Sequence, residues 1–212
     1  NPEGRFYGET LDFHTNAFGD FARGDHSYMW KCDRAERIVS LIKGDARPYI
    51  IIADVVRRSN ASTYEFNLHT PVMPSGGATF ASPLTVSSAS GASAKLVMIE
   101  PTVHDAPISA AHSHRTPVHN YRTIIRKTAD AGETVGFLTF IQPVKSGTIQ
   151  PTTITNTSQA NFSGARIIWT DGEDRVLASK SGGMITDGVV ETDAAFVVVR
   201  LKNNAVVRYL IC

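Results

Sequence analysis

Residues 24–56 read GDHSYMWKCDRAERIVSLIKGDARPYIIIADVV. A polar and aromatic entry, Gly24-Asp25-His26-Ser27-Tyr28, leads into an apolar strand. A turn at Gly44-Asp45 follows, and a second strand closes on Ile52-Ala53-Asp54-Val55-Val56. Two consecutive β-patterned runs separated by a glycine turn predict sheet framework with one polar end. Chemistry is the secondary reading of this stretch.

The same signal extends outward in both directions. YIIIADVV (residues 49–56) is apolar on both faces, which places it centrally between layers. TYEFNLH (63–69) alternates, with Tyr64, Phe66 and Leu68 on one face and Glu65 and Asn67 on the other. That is the pattern of a sheet with one wet face. Further runs rich in β-branched residues lie at 95–99, 121–127, 135–141, 166–170, 196–201 and 206–211. Asn203-Asn204 joins the last two and predicts a terminal hairpin. Segments 71–77, 87–94 and 148–164 read as loops or surface excursions. No segment of ten or more residues carries helical apolar spacing. About a dozen strands predict an all-β chain, a two-layer antiparallel β-sandwich of supersandwich-like type, forming one domain over residues 1–212.

Composition narrows the function classes. The 212 residues hold 21 basic and 20 acidic side chains, with no charged block, which argues against nucleic acid as a partner. No apolar run approaches membrane-spanning length. The first ten residues, NPEGRFYGET, carry no leader pattern, which leaves localisation open because leaders are removed on export or lie upstream. Cys32 and Cys212 sit in no CxxC and make no disulfide framework, so they read as two unrelated thiols. Cys212 as last residue suggests a closely trimmed C-terminus.

Two clusters could carry chemistry. His104, His112, His114 and His119 fall in one window beside Asp105. On a strand, His112-x-His114 would present both rings on one face, as zinc sites on sheets do, with His104 or His119 as third ligand. Pro107, Pro117, Ser109 and Ser113 favour a polar loop instead. The second cluster is the entry segment. If residues 26–30 are extended, His26, Tyr28 and Trp30 share a face suited to stacking on sugar, with Arg34 nearby. The competing reading buries that face in the core. His69 reads as a strand-end residue, and His14 as a distant metal candidate with Asp12 or Asp25. Nucleotide-binding, serine-hydrolase and zincin motifs are absent from the sequence.

The order of motifs resembles the C-terminal β region of heparinase II/III-like polysaccharide lyases. The resemblance is carried by Gly24-Asp25-His26-Ser27-Tyr28, Arg34-Ala35-Glu36-Arg37, Ile51-Ile52-Ala53-Asp54-Val55-Val56 and Asn67-Leu68-His69-Thr70-Pro71. Phe137-Leu138-Thr139-Phe140 and Gly164-Ala165-Arg166 follow at about the family's spacing. It covers residues 4–71 well and the remainder loosely.

That resemblance implies a β-sandwich serving an N-terminal α/α-toroid domain of the same parent chain. Such enzymes cleave acidic, uronic-acid-containing polysaccharide by β-elimination in the periplasm or outside the cell. The family's metal motif and toroid lie upstream of the matched segment, so the chain is expected to be inactive alone. Zinc or calcium is the cofactor implied for the parent enzyme. His26, Tyr28, Trp30 and Arg34 are the substrate-binding candidates, and Lys31, Arg57 and Arg58 further cationic ones. Two alternatives stand beside this reading. One is an independent carbohydrate-binding module with an exposed platform at Trp30 or Trp169. The other is a metal-dependent enzyme using His104, His112, His114 and His119.

Overall fold

The computed structural model describes residues 8–44, 46–70, 72–88, 90–102, 108–112 and 120–212, the backbone alone over 108–112 and 120–122. Seventeen strands and one helical turn are found among the described residues. The seven-stranded sheet has the order β1 (Glu9–Thr15), β2 (Gly19–Asp25), β3 (Arg34–Ile42), β4 (Tyr49–Arg57), β10 (Thr134–Val144), β7 (Ser93–Glu100), β6 (Leu84–Ser87). The five-stranded sheet has the order β11 (Thr153–Asn156), β12 (Phe162–Trp169), β13 (Gly172–Ser179), β16 (Phe196–Lys202), β17 (Ala205–Ile211). Every pairing is antiparallel.

These two sheets face each other across the main core. Phe21, Ile38, Ile42, Tyr49, Ile51, Ala53 and Phe140 of the first meet Ile167, Trp169, Val176, Phe196, Val198 and Leu210 of the second. Phe21 and Phe196 stack at 5.6 Å, and the Tyr49 ring lies 5.1 Å from Phe140 and 5.9 Å from Trp169. The expected all-β sandwich is therefore present.

A third sheet, β5 (Ser62–Thr70), β9 (Asn120–Ala129) and β8 (Ile108–His112), covers part of the opposite face of the seven-stranded one. Tyr64, Phe66 and Ile125 pack there on Leu96, Met98, Val135 and Phe137, with Ile52 and Val56 of β4 beside them. This explains the unbroken apolar character of β4: odd and even positions enter two different cores. The alternation of β5 is realised too, with Tyr64 and Phe66 buried and Glu65 exposed. A short hairpin, β14 (Ile185–Thr186) and β15 (Glu191–Thr192), closes the outer side of the five-stranded sheet through Ile185.

Several expectations are corrected. Residues 153–156 form β11 and pair with β12 through Thr153↔Ile168 to Asn156↔Ala165, so segment 148–164 is partly sheet. Residues 108–112, weighed as loop, pair with β9 through Ile108↔Ile124. The terminal hairpin holds, with Asn203 and Asn204 at φ 52° and 60°, values that asparagine tolerates. Cys32 and Cys212 are free.

The main core contains one fully buried ionic cluster. Asp174 has no exposed surface and accepts hydrogen bonds from Arg200 Nε at 2.7 Å and Nη2 at 2.8 Å. The Tyr49 hydroxyl, from the opposite sheet, donates to its second oxygen at 2.7 Å. Arg200 also lies over the Phe18 ring at 5.1 Å. Burial first, then the charge of Asp174, holds the Tyr49 phenol well above its ordinary value.

Asp174→Asn is expected to lower unfolding free energy by about 3–5 kcal/mol, because Arg200 is then left uncompensated. Tyr49→Phe is expected to cost about 1.5–3 kcal/mol, both read from urea midpoints. A raised folded-state pKa means that the tyrosine's contribution is complete below the ordinary tyrosine value of 10.0 and falls as pH rises beyond it. Wild type should therefore lose stability above that pH more steeply than Tyr49→Phe.

Candidate functional site

The entry segment is not extended. Ser27–Trp30 forms a single helical turn, α1, inserted between β2 and β3. The Asp25 carboxylate accepts from the Ser27 amide at 2.7 Å, and Ser27 Oγ accepts from the Ala35 amide at 2.7 Å. Trp30 N–H donates to the His26 carbonyl at 3.2 Å, and Lys31 closes the turn in the left-handed region at φ 50°. Local side-chain hydrogen bonds from Asp and Ser thus outcompete strand continuation. His26, Tyr28 and Trp30 do not share a strand face, and the competing core reading fails as well. Tyr28 is 66% and Trp30 62% exposed.

Arg58, just beyond β4, pins this turn from the far side. Its Nη2 donates to the Trp30 carbonyl at 2.6 Å, and its Nε to Cys32 Sγ at 3.3 Å. The Cys32 contact raises the Arg58 pKa further. The Asp33 amide donates to the Arg57 carbonyl at 3.0 Å, adding a backbone tie.

The turn overhangs a cleft of about 790 Å³ between the seven-stranded sheet and the free edge of β5. Ala35, Arg37, Asp54, Val56 and Phe137 line its sheet side, and Tyr64, Glu65, Asn67 and His69 its β5 side. His26, Trp30, Cys32 and Arg58 line the end under α1. A second hollow of about 240 Å³ adjoins it, lined by Trp30, Lys31, Asp33, Arg58 and Asn60 among others. Trp30 and Arg58 are common to both.

The charged groups in the cleft are mostly engaged. Arg37 donates to both oxygens of Asp54 at 2.6 and 2.7 Å and lies 5.7 Å over Phe66. The Asp54 hydrogen bond raises its pKa. Glu65 pairs with Arg126 at 2.7 Å. Burial pushes the Glu36 pKa up, but hydrogen bonds from Arg34 and Arg23 outweigh it and hold the carboxylate below its ordinary range. The Tyr64 phenol is raised, chiefly by burial.

The four substrate-binding candidates therefore separate. His26 and Trp30 meet in the cleft, whereas Tyr28 and Arg34 are not among its lining residues. Arg34 is spent on framework: it holds Glu36 at 2.7 Å and reaches the Lys180 carbonyl across the sandwich. Lys31 enters the adjoining hollow. Trp169, the other proposed platform, is only 3% exposed and belongs to the core. Sequence reading did not group Tyr64, Asn67 and His69 with His26, because only the packing of the sheets makes all four line one cleft. His69 sits at the exposed end of β5, as its position predicted, yet lines the cleft.

The metal cluster lies outside the described residues: His104, His114 and His119 entirely, and His112 beyond its backbone, where β8 ends. Among the described residues no group of three or more His, Cys, Asp or Glu is placed to hold a metal. Of the two carboxylates weighed with His14, Asp25 is set apart, since it pairs with Glu9 at the opposite end of the β1–β2 ladder from His14. No helix among the described residues is long and apolar enough to cross a membrane.

No protein-family model and no curated protein sequence matches this chain. Its fold is nevertheless similar to solved polysaccharide lyases. Heparan sulfate lyase HepC from Pedobacter heparinus superposes with TM-score 0.62 and 9% identity, covering 83% of this chain and 28% of that one. The heparinase III-BT4657 gene product gives 0.59 and 12%, covering 92% and 27%. Heparinase III gives 0.57 and 9%, covering 81% and 27%. The chain thus spans little more than a quarter of the length of these neighbours, and at such identities the likeness establishes a shared fold.

Arg58→Ala should release α1 while leaving the sandwich intact. Amide exchange at Trp30 and Cys32 is expected to accelerate several-fold, with the thermal midpoint nearly unchanged, because the lost contacts lie at the surface.

Proposed function

We propose that this chain is the non-catalytic, C-terminal β-sandwich portion of a heparinase II/III-like polysaccharide lyase. It supports an α/α-toroid domain of the same parent chain and lines one wall of a cleft for uronic-acid-containing polysaccharide. The carrying observation is the fold match, which takes in most of this chain and only 27–28% of each heparinase. Periplasmic or extracellular placement belongs to the same proposal.

The cleft's make-up supports the reading. An exposed indole on a braced turn offers a stacking surface for a sugar ring, and Trp30 is shared by two adjoining hollows suited to successive sugar units. Imidazoles from His26 and His69 and the Asn67 amide supply hydrogen-bonding groups for hydroxyls. The exposure of Trp30 equally favours a second reading, an independent carbohydrate-binding module.

The isolated chain is expected to bind immobilised acidic polysaccharide weakly and to release no unsaturated uronate, followed by its ultraviolet absorbance. Fusion to the upstream toroid region of the parent chain should restore cleavage. Elimination by the chain alone would overturn the proposal. Full affinity that the toroid does not increase would favour the binding-module reading. Trp30→Ala should weaken binding about tenfold through lost stacking, with unchanged circular dichroism.

A further inference from the structure

The seven-stranded sheet ends differently on its two sides. At β6, Ser75 bridges Thr85 and exchanges both backbone hydrogen bonds with it, which blocks that edge. At the other end, β1 has no further strand beside it among the described residues, and all seven of its side chains are exposed. Phe13 is 66% and Leu11 42% exposed, on a strand that carries neither proline nor lysine. A bare apolar edge of this kind is a template for pairing with another strand.

The hairpin that β1 makes with β2 fixes which groups that edge offers. Asn16 N–H donates to the Gly19 carbonyl at 2.9 Å and closes the turn. The ladder continues through Thr15↔Asp20, His14↔Phe21 and Phe13↔Ala22. Backbone groups alternate along it, so those of His14 turn to β2 and those of Phe13 and Thr15 turn outward. Side chains alternate across the sheet. Asp12 and His14 lie on the face of Phe21, which enters the main core, and Phe13 and Thr15 lie on the opposite face.

We propose that β1 pairs antiparallel with β1 of a second copy of this chain, about a two-fold axis at Phe13. Two seven-stranded sheets then join into one of fourteen strands. Charge complementarity selects this register. Asp12 of each copy lies opposite His14 of the other, and an imidazole N–H donates to a carboxylate whether or not the ring is charged. The two Phe13 residues exchange both outward backbone hydrogen bonds and set their rings side by side. A register centred on Asp12 would oppose two carboxylates. One centred on His14 would oppose two imidazoles and shorten the overlap, because the chain turns at Asn16. Seven residues at about 3.4 Å each, across two sheets roughly 10 Å apart, cover about 500 Å² per copy with their side chains. That is the lower end of specific interfaces and fits a reversible dimer. The pairing does not depend on what the cleft binds.

The test is sedimentation velocity on the full chain from about 1 to 300 µM, where a dimer with Kd of about 1–100 µM is expected. Phe13→Lys should weaken it at least about tenfold and leave the thermal midpoint unchanged, because the ring is exposed. Phe13→Pro should also weaken it, since it removes an N–H that faces outward and none that β2 uses. Asp12→His should weaken the dimer about tenfold through two symmetric pairs, and adding His14→Asp should restore it. A chain that stays monomeric throughout, the result if another partner covers β1, would overturn the proposal. So would a dimer indifferent to both Phe13 variants, an Asp12→His loss that His14→Asp leaves unrestored, or a dimer dispersed instead by Tyr209→Lys on β17.

Discussion

A carboxylate with no exposed surface ties the two large sheets together. Asp174 on β13 accepts from Nε and Nη2 of Arg200 on β16, its neighbour in the same sheet, and from the Tyr49 hydroxyl of β4 across the core. Tyr49 in turn packs its ring between Phe140 and Trp169. Apolar packing between sheets fixes their separation but specifies lateral position weakly. Sliding would break the charge-assisted Tyr49–Asp174 hydrogen bond and leave the buried phenol hydroxyl without its acceptor, while the Asp174–Arg200 pair stays within its own sheet. The register of the seven-stranded sheet against the five-stranded one is thereby anchored at one point.

With the inner face so fixed, the outer face of the seven-stranded sheet becomes the surface on which function is built. The three-stranded sheet covers it only in part, over β4, β10 and β7, through Phe66, Ile125, Met98 and Phe137. Beyond the free edge of β5 the floor is open, and α1 overhangs the gap. Arg37 and Asp54 show the cost of that boundary: both lie where apolar cover ends, and they satisfy one another while Phe66 shields the guanidinium. The cleft is thus a consequence of incomplete layering.

Much of the architecture could be read from residue patterns. YIIIADVV announced a strand buried on both sides, and TYEFNLH a strand with one wet face, because burial leaves periodicity in composition. Strands with little periodicity were not legible. GDFARGD forms β2 although glycine and aspartate disfavour sheet, since β1 and β3 supply partners on both edges. TITN forms β11 because β12 offers it an edge. The candidate site was legible only as a region. His26 and Trp30 were recognisable by type, but the helical turn that aims them depends on Asp25 and Ser27 side chains whose acceptor roles a pattern does not encode.

Residue pattern carries the all-β class, the doubly buried centre of the sheet, the terminal hairpin, and the polar and aromatic character of residues 24–30. These follow from local preference and from which residues water excludes. Tertiary structure alone decided that Trp169 is core and Trp30 surface, that Arg34 braces the sandwich, and that Tyr64, Asn67 and His69 line the same cleft as His26. Those outcomes depend on contacts between residues tens of positions apart in the chain. Layer stacking sets such contacts, and no single strand's pattern records which layer will lie over it.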